Sequence, residues 1–264
     1  MLRKRFKVRW NLFRERIIKR SEREYSGRLP ICIDFILYYR LICYFCCFFF
    51  FVGMVLEIKN RTIESFLKSR NFSFLLCLFW GYFTFIHIQT LLKGFDFTEL
   101  LWLIYNVTIS LLFLIRARPS VVSMNPFHWA VALITSFSGF FFMAGANSKP
   151  ILLLTAEALI VFAILLGIVT AIILERSYDF LPALRQVKTK CVYQIVRHPM
   201  YASSIIIKLG YILKNPFVFN FALLVAVIIL YDRRARFEED IMSHDDSYVE
   251  YIQQVKYRFI PGIY

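Results

Sequence analysis

Two short segments, about forty residues apart, carry side chains that can bind charged groups. The first is Arg197-His198-Pro199-Met200-Tyr201, and the second contains Arg234, Glu238 and Glu239. Together they supply basic, acidic and aromatic groups. They form a binding site only if the fold brings the two segments to one place.

The sequence between these segments predicts how they meet. Apolar runs at 200–213 and 217–231 are joined by Lys214-Asn215-Pro216, and each run is only about 15 residues long. A helix needs about 20 residues to cross a bilayer, and Asn-Pro marks a turn. We therefore predict a re-entrant helical hairpin that returns to the face it entered and places His198 beside the Glu pair.

The same residues resemble a known signature. Arg197-His198-Pro199-x-Tyr201, followed after the hairpin by Glu238-Glu239, is similar to the motif of the isoprenylcysteine carboxyl methyltransferase and phospholipid methyltransferase superfamily. These are integral membrane enzymes that use S-adenosylmethionine. The similarity extends over 176–262, about a third of the chain, and departs from relatives at Cys191, which is usually Gly, and at 202–204.

The resemblance implies S-adenosylmethionine as the cofactor, whose ammonium, carboxylate and adenine need acidic, basic and aromatic partners. With Pro199 at the first helical position, the amide groups of Tyr201 and Ala202 are expected to face the carboxylate. Glu238 is expected to bind the ammonium. Tyr201, Tyr251 and Phe259 are candidate walls, although interfacial anchoring explains such aromatic residues equally well. The predicted cofactor-binding residues are Tyr193, Arg197, His198, Pro199, Tyr201, Glu238 and Tyr251.

Arg234 and Glu239 are the predicted catalytic residues. In the enzymes that this sequence resembles, an Arg at this offset handles the methyl acceptor. The alternative is an ion pair between Arg234 and Glu238, which share a helix face at a spacing of four residues. Methyl transfer needs no metal, and the four His residues show no ligand spacing, so we predict no metal site. Cys43 and Cys46 have CxxC spacing within an apolar run, where Cys is usually a small hydrophobic residue.

Hydropathy predicts an all-α, polytopic membrane helix bundle, with about five spanning helices plus the C-terminal hairpin. The chain of 264 residues is 59% hydrophobic. A basic amphipathic arm at 1–34 precedes the transmembrane helices of 35–174, and the catalytic region occupies 175–264. The predicted spanning runs are 35–56, 72–92, 98–115, 127–146 and 151–174.

The charge distribution predicts sidedness. The net charge is +14, and residues 1–30 hold eleven Lys/Arg and three Glu, a pattern that favours anionic membrane lipids over nucleic acid. The positive-inside rule places this arm, segment 175–199 and the C-terminal tail in the cytoplasm. Five crossings would instead put the arm opposite the catalytic region, so the two expectations conflict.

Two further features complete the prediction. Glu157 lies within an apolar run, so it is expected either to line the acceptor tunnel or to be a neutral interior group. Asp245 and Ser247 begin a predicted amphipathic helix at 248–255, which would cover the cofactor as a lid.

The sequence thus favours an integral membrane methyltransferase that uses S-adenosylmethionine, with its site facing the cytoplasm. The resemblance implies a lipophilic acceptor: a prenylcysteine-like carboxylate, a lipid amine or a small thiol. One alternative is a sterol- or steroid-type membrane reductase that uses NADPH, although no dinucleotide glycine fingerprint is present. The other is a non-enzymatic membrane protein that binds lipid or a partner.

Overall fold

A computed structural model of the protein describes residues 60–144 and 149–264. The predicted arm at 1–34, the run at 35–56 and the CxxC pair lie outside these residues. The described residues form the predicted all-α fold. Its helices are α1 (Asn60–Leu67), α2 (Arg70–Lys93), α3 (Phe97–Ile115), α4 (Pro126–Phe137), α5 (Pro150–Leu174), α6 (Pro199–Lys214), α7 (Val218–Met242) and α8 (Asp246–Gln254).

Within the described residues, three helices are long and apolar enough to cross a membrane: α2, α3 and α5. They confirm the predicted spans at 72–92, 98–115 and 151–174, to within two residues at each end. Their outer faces carry large exposed apolar side chains such as Phe74 and Leu111. These apolar faces suit contact with lipid. The backbone polar groups of the helices are also satisfied internally, as a lipid environment requires.

The predicted spanning helix at 127–146 is wrong. α4 has only 12 residues and ends in a 3₁₀ turn at Ser138–Phe141. Carbonyl groups in its last turns accept hydrogen bonds from side chains of α7. Tyr231 donates to the carbonyl of Thr135 at 3.0 Å, and Arg234 donates to the carbonyl of Ala132 at 3.2 Å. Twelve residues extend about 18 Å, which is too short for a hydrocarbon core of about 30 Å.

The long helices lie side by side between two ends of the bundle, which we call the near end and the far end. At the near end, α3 and α5 finish together, and the amide of Ala117 donates to the carbonyl of Arg176 at 2.8 Å. At the far end, Thr98 at the start of α3 donates to Glu157 near the start of α5 at 2.6 Å. α3 and α5 are therefore parallel, and the chain between them must travel back to the far end.

The described residues of this return, 126–144, contain no single long helix. After α4 and the 3₁₀ turn, the amide of Met143 donates to Asn220 at 2.8 Å, and Asn220 donates to the carbonyl of Met143 at 2.9 Å. Asn220 also donates to the carbonyl of Asn215 in the hairpin turn at 2.8 Å. One buried amide thus satisfies irregular backbone at the far end, where a membrane protein must satisfy such groups internally.

Glu157 also lies at the far end and not in the bundle interior. Its side chain is 38% exposed and pairs with Lys214 at 2.6 Å, in addition to accepting the bond from Thr98. The expectation that Glu157 is a neutral interior group is therefore wrong, whereas its role as a wall of the acceptor tunnel stays a prediction. It joins α3, α5 and the end of α6.

The predicted hairpin is formed by α6 and α7. The turn between them is stabilised by Asn215, whose amide donates to the carbonyl of Tyr211 at 2.9 Å. α6 packs closely on α5 at Gly210, where an added Cβ would lie 2.6 Å from Ile160 and 3.0 Å from the carbonyl of Ala156. α7 continues through 25 residues, beyond its apolar run and through the charged segment. The helix therefore carries Arg234, Glu238 and Glu239 back to the near end.

The C-terminal tail closes the near end. Asp245 caps α8 by accepting from the amide of Ser247 at 2.9 Å, as the sequence predicts. Farther along, the tail pairs with the start of the hairpin: the amide of Arg197 donates to the carbonyl of Tyr257, and the amide of His198 to the carbonyl of Arg258, both at 2.9 Å. The tail thus fixes the backbone of the first motif.

Candidate active site

Glu239 joins three parts of the near end. Its carboxylate lies 3.1 Å from Nε2 of His198 and 3.1 Å from Nε of Arg197, which both precede α6. Arg258 from the tail approaches from the other side, with Nη2 at 2.7 Å and Nε at 3.0 Å from Oε2. Only 13% of the Glu239 side chain is exposed. The carboxylate therefore ties α7 to the first motif and to the tail.

These partners set the ionisation of Glu239. Burial alone would raise its pKa, but hydrogen bonds from His198 and Arg258, with the charge of Arg197, lower the pKa from 4.5 to about 2. A carboxylate with a depressed pKa in the folded state stabilises the fold above its unfolded pKa. That contribution is lost as the pH falls through 4.5 toward 2.

We predict that Glu239→Gln lowers the thermal midpoint at pH 7 and that the difference from the wild type shrinks below about pH 4.5. The measurement is the midpoint of the detergent-solubilised protein between pH 7 and pH 3. A difference that stays constant to pH 3 would contradict this assignment, because the contribution would then not depend on the charge of Glu239.

Glu238 has one close partner. Tyr201 donates its hydroxyl hydrogen to Oε1 of Glu238. Arg185 lies 3.7 Å away, and Nε of Arg234 lies 3.6 Å away, so both are beyond hydrogen-bond distance. The side chain is 12% exposed. Glu238 is thus a nearly buried carboxylate that retains capacity to accept hydrogen bonds from a bound cation.

Arg234 is occupied by the protein itself. Nη1 donates to the hydroxyls of Thr135 at 2.9 Å and Ser136 at 3.0 Å, and to the carbonyl of Ala132 at 3.2 Å. Nη2 donates to the carbonyl of Phe180 at 2.8 Å. Nε is buried and has no hydrogen-bond partner among the described residues. The guanidinium therefore joins α7 to α4 and to the segment after α5, and only Nε faces Glu238.

The start of α6 differs from the sequence prediction. The amide groups of Tyr201 and Ala202 both donate to the carbonyl of His198 at 3.1 Å, so they are not free to bind an anion. The expectation that they face a carboxylate is wrong, because the first turn of α6 closes on its own N-cap carbonyl. Arg197 suits an anion better than these two amide groups do. Its Nε is buried and makes no hydrogen bond in the described part of the chain, although it lies 3.1 Å from Glu239.

Aromatic rings surround these charges. The rings of His198 and Tyr201 are parallel, with centroids 5.4 Å apart, and Phe259 lies 6.1 Å from His198. Tyr251 on α8 donates to the carbonyl of Tyr193 at 2.6 Å. Burial raises the pKa of the Tyr251 hydroxyl, so the group stays protonated and acts as a donor. The buried rings of Tyr193, Tyr201, Tyr251 and Phe259 thus form an aromatic shell.

The structure brings the nine predicted site residues to the near end, around the two carboxylates. It also places there two residues that the sequence analysis counted only as basic charges, Arg185 and Arg258. Arg258 lies within the segment that resembles the family, directly before Phe259, but no site role was predicted for it. Arg185 follows an irregular segment with no periodic pattern, so its approach to Glu238 had no sequence signal.

Comparison with known proteins agrees with the motif. The family model described as phospholipid methyltransferase matches residues 152–245, from the start of α5 to the end of the helical hairpin. The match covers about a third of the chain, includes both charged segments and confirms the resemblance to the membrane methyltransferase superfamily. No curated protein matches the chain.

Proposed function

We propose that this membrane methyltransferase takes its methyl group from S-adenosylmethionine and transfers it to a lipophilic acceptor. The observation that carries the proposal is the meeting of the two motifs across the hairpin, where His198 lies 3.1 Å from Glu239 and Tyr201 binds Glu238. This arrangement lies within the residues that match the phospholipid methyltransferase family.

The groups at the near end fit this cofactor. Glu238 is a nearly buried carboxylate with spare acceptor capacity, which suits the ammonium group. Arg197 is ion-paired with Glu239 at 3.1 Å, but its guanidinium carries five N–H donors, so it can also bind the carboxylate. The aromatic shell suits the adenine. When bound, the cofactor supplies a methyl group on a sulfonium, which is already a good leaving group.

The protein's own contribution is to hold the reactants and exclude water. Glu239 connects α7, the first motif and the tail, which favours a positioning role over the catalytic role predicted from the sequence. α8 is held at the near end by the bond from Tyr251 to the carbonyl of Tyr193, and Phe259 packs on Tyr201, so both would shield a bound cofactor from solvent. Positioning in a water-poor site lowers the barrier of a two-reactant step without a protein nucleophile.

The proposal extends to the class of methyl acceptor and to the membrane face at which the near end lies. Site residues on a hairpin packed against spanning helices suit an acceptor that stays in the membrane, such as a prenylcysteine-like carboxylate or a lipid amine, better than they suit a small thiol. S-adenosylmethionine is made in the cytosol, and the near end carries exposed cations such as Arg176 and Arg236, so we place this end at the cytoplasmic face.

Binding of S-adenosylhomocysteine to the detergent-solubilised full chain tests the cofactor. At one hundred times its dissociation constant, a ligand stabilises the folded state by about 2.7 kcal/mol, which raises the thermal midpoint by roughly 5–10 °C. We expect this rise with S-adenosylhomocysteine and none with NADPH. A rise with NADPH alone would instead indicate a reductase, and no rise with either ligand would favour a non-enzymatic membrane protein.

A further inference from the structure

A lysine is buried in the middle of the hairpin. Lys208 lies on α6, nine residues after Pro199, which is roughly 13 Å along the helix. It is only 7% exposed, so its side chain does not reach the surface of the bundle. A buried charged group at membrane depth is costly and is usually retained for a function.

The contacts of Lys208 are weak for a buried cation. Its ammonium lies 3.4 Å from the carbonyl of Ser204 and 3.4 Å from the hydroxyl of Tyr231, both at the long limit for hydrogen bonds. It also lies 5.2 Å from the centroid of the Tyr231 ring. Among residues 60–144 and 149–264, no carboxylate forms an ion pair with Lys208, whereas Lys214 on the same helix pairs with Glu157 at 2.6 Å.

A second buried cation lies on the other side of the same residues. Tyr231 donates to the carbonyl of Thr135, whose hydroxyl accepts from Arg234. Arg234 faces Glu238 only at 3.6 Å, and Glu238 is shared with Arg185. The interior between α4, α6 and α7 therefore holds more positive than negative charge, so it favours an anion.

We infer that Lys208 binds an oxyanion of the methyl acceptor, and that the acceptor is therefore an anionic amphiphile. The inference rests on the proposed function and names the acceptor class for that site. The Lys208 side chain points back along α6 to Ser204, about one turn or 5 Å from Tyr201. Its anion would therefore lie one helical turn below Tyr201 and Glu238.

The residues around and beyond Lys208 suit the apolar part of such a molecule. Val227 packs with Tyr201 and Tyr231, and toward the far end Ile212 and Leu224 pack with Phe142. An acceptor would thus meet polar groups at Tyr201, a cation at Lys208 and hydrocarbon beyond it. A carboxylate and a phosphate are both oxyanions of the required kind.

The charge preference is measured with three probes of equal chain length: dodecyl phosphate, dodecanoate and dodecanol, added to the full chain in neutral detergent with S-adenosylhomocysteine present. We expect at least one anionic probe to bind about tenfold more tightly than the alcohol. If dodecyl phosphate binds more tightly than dodecanoate, the acceptor carries a phosphate; if dodecanoate binds more tightly, it carries a carboxylate. Equal binding of all three probes by the wild type would overturn the inference.

Lys208→Met should reduce this preference to less than about threefold and leave the response to S-adenosylhomocysteine unchanged. Lys214→Met, which removes a cation at the far end, is the matched control and should keep the preference. Lys208→Arg, which keeps the charge, should also keep it. If Lys208→Met retains the preference, Lys208 is not the anion-binding residue.

Stability separates this role from a structural one. A buried cation without a carboxylate partner opposes folding, so Lys208→Met should be at least as stable as the wild type. Marked destabilisation of Lys208→Met, with the charge preference also lost in Lys208→Arg, would indicate a structural lysine and overturn the inference. If S-adenosylhomocysteine fails to bind the wild type while the anion preference persists, the proposed function fails and the anion site stands.

Discussion

Glu238→Gln is expected to weaken binding of S-adenosylhomocysteine by about ten- to a hundredfold and to lower turnover by a similar factor when the cofactor is below its dissociation constant. The amide keeps the shape of the side chain and can still accept from Tyr201, but it loses the charge that we assign to the ammonium group. A charge-assisted hydrogen bond in a nearly buried site contributes about 1.5–3 kcal/mol. Titration of the purified protein by calorimetry measures the change directly.

The matched control is Glu250→Gln. Glu250 lies exposed on α8, at the same end of the bundle, so its substitution changes the net charge equally without touching the site. We expect its affinity to equal that of the wild type. If Glu238→Gln binds the ligand as tightly as Glu250→Gln does, Glu238 does not bind the ammonium.

Arg234→Met is expected to destabilise the protein by about 3–5 kcal/mol, because it removes a buried charge and leaves its partners unsatisfied. The partners are two hydroxyls on α4, one α4 carbonyl and the carbonyl of Phe180. A loss of this size lowers the thermal midpoint by roughly 10 °C. Arg234→Lys should be intermediate, since one ammonium cannot reach all of these acceptors.

Arg236→Met is the control for Arg234. It lies on the same helix, but its side chain is 48% exposed and pairs with Asp232 at 2.9 Å. An exposed pair of this kind contributes less than about 1 kcal/mol. If Arg234→Met retains the wild-type midpoint and loses only turnover, the guanidinium acts on the acceptor, as the sequence resemblance implies, and not as a structural connection.

The hairpin shows how much the sequence can predict. Run length and Asn-Pro indicated two helices of about 15 residues each, paired antiparallel across the turn. α6 has 16 residues as predicted, but α7 has 25, because the helix continues through the charged segment. The contact between His198 and Glu239 was therefore predictable from spacing alone, and it was found at 3.1 Å. The three spanning helices were predictable for the same reason, since hydropathy responds to long uniform runs.

The early end of α4 was not predictable in this way. The sequence at 127–146 is largely apolar, but the helix ends at Phe137, where side chains of Tyr231 and Arg234 donate to its backbone. These donors lie about one hundred residues away in sequence. A tertiary contact here overrides local propensity, which hydropathy cannot detect.

In the candidate site, too, the sequence predicted one part and not another. It identified Glu238 and Glu239 as site residues, but it did not predict that their environments differ. Arg258 and His198 bind Glu239, while Glu238 accepts from Tyr201 and keeps spare capacity. This difference arises from the C-terminal tail, whose pairing with the first motif has no hydropathy or spacing signal. It favours Glu238 over Glu239 as the group that contacts the cofactor.

The most direct test is transfer of a labelled methyl group. The purified full chain in phospholipid vesicles is incubated with methyl-labelled S-adenosylmethionine and a membrane lipid extract, and the organic phase is counted. We predict label in an extractable product with the wild type and with Glu250→Gln, and about tenfold less or lower with Glu238→Gln when the cofactor is below its dissociation constant. Label at equal levels with Glu238→Gln, or bound S-adenosylmethionine without any labelled product from the wild type, would contradict the proposed function.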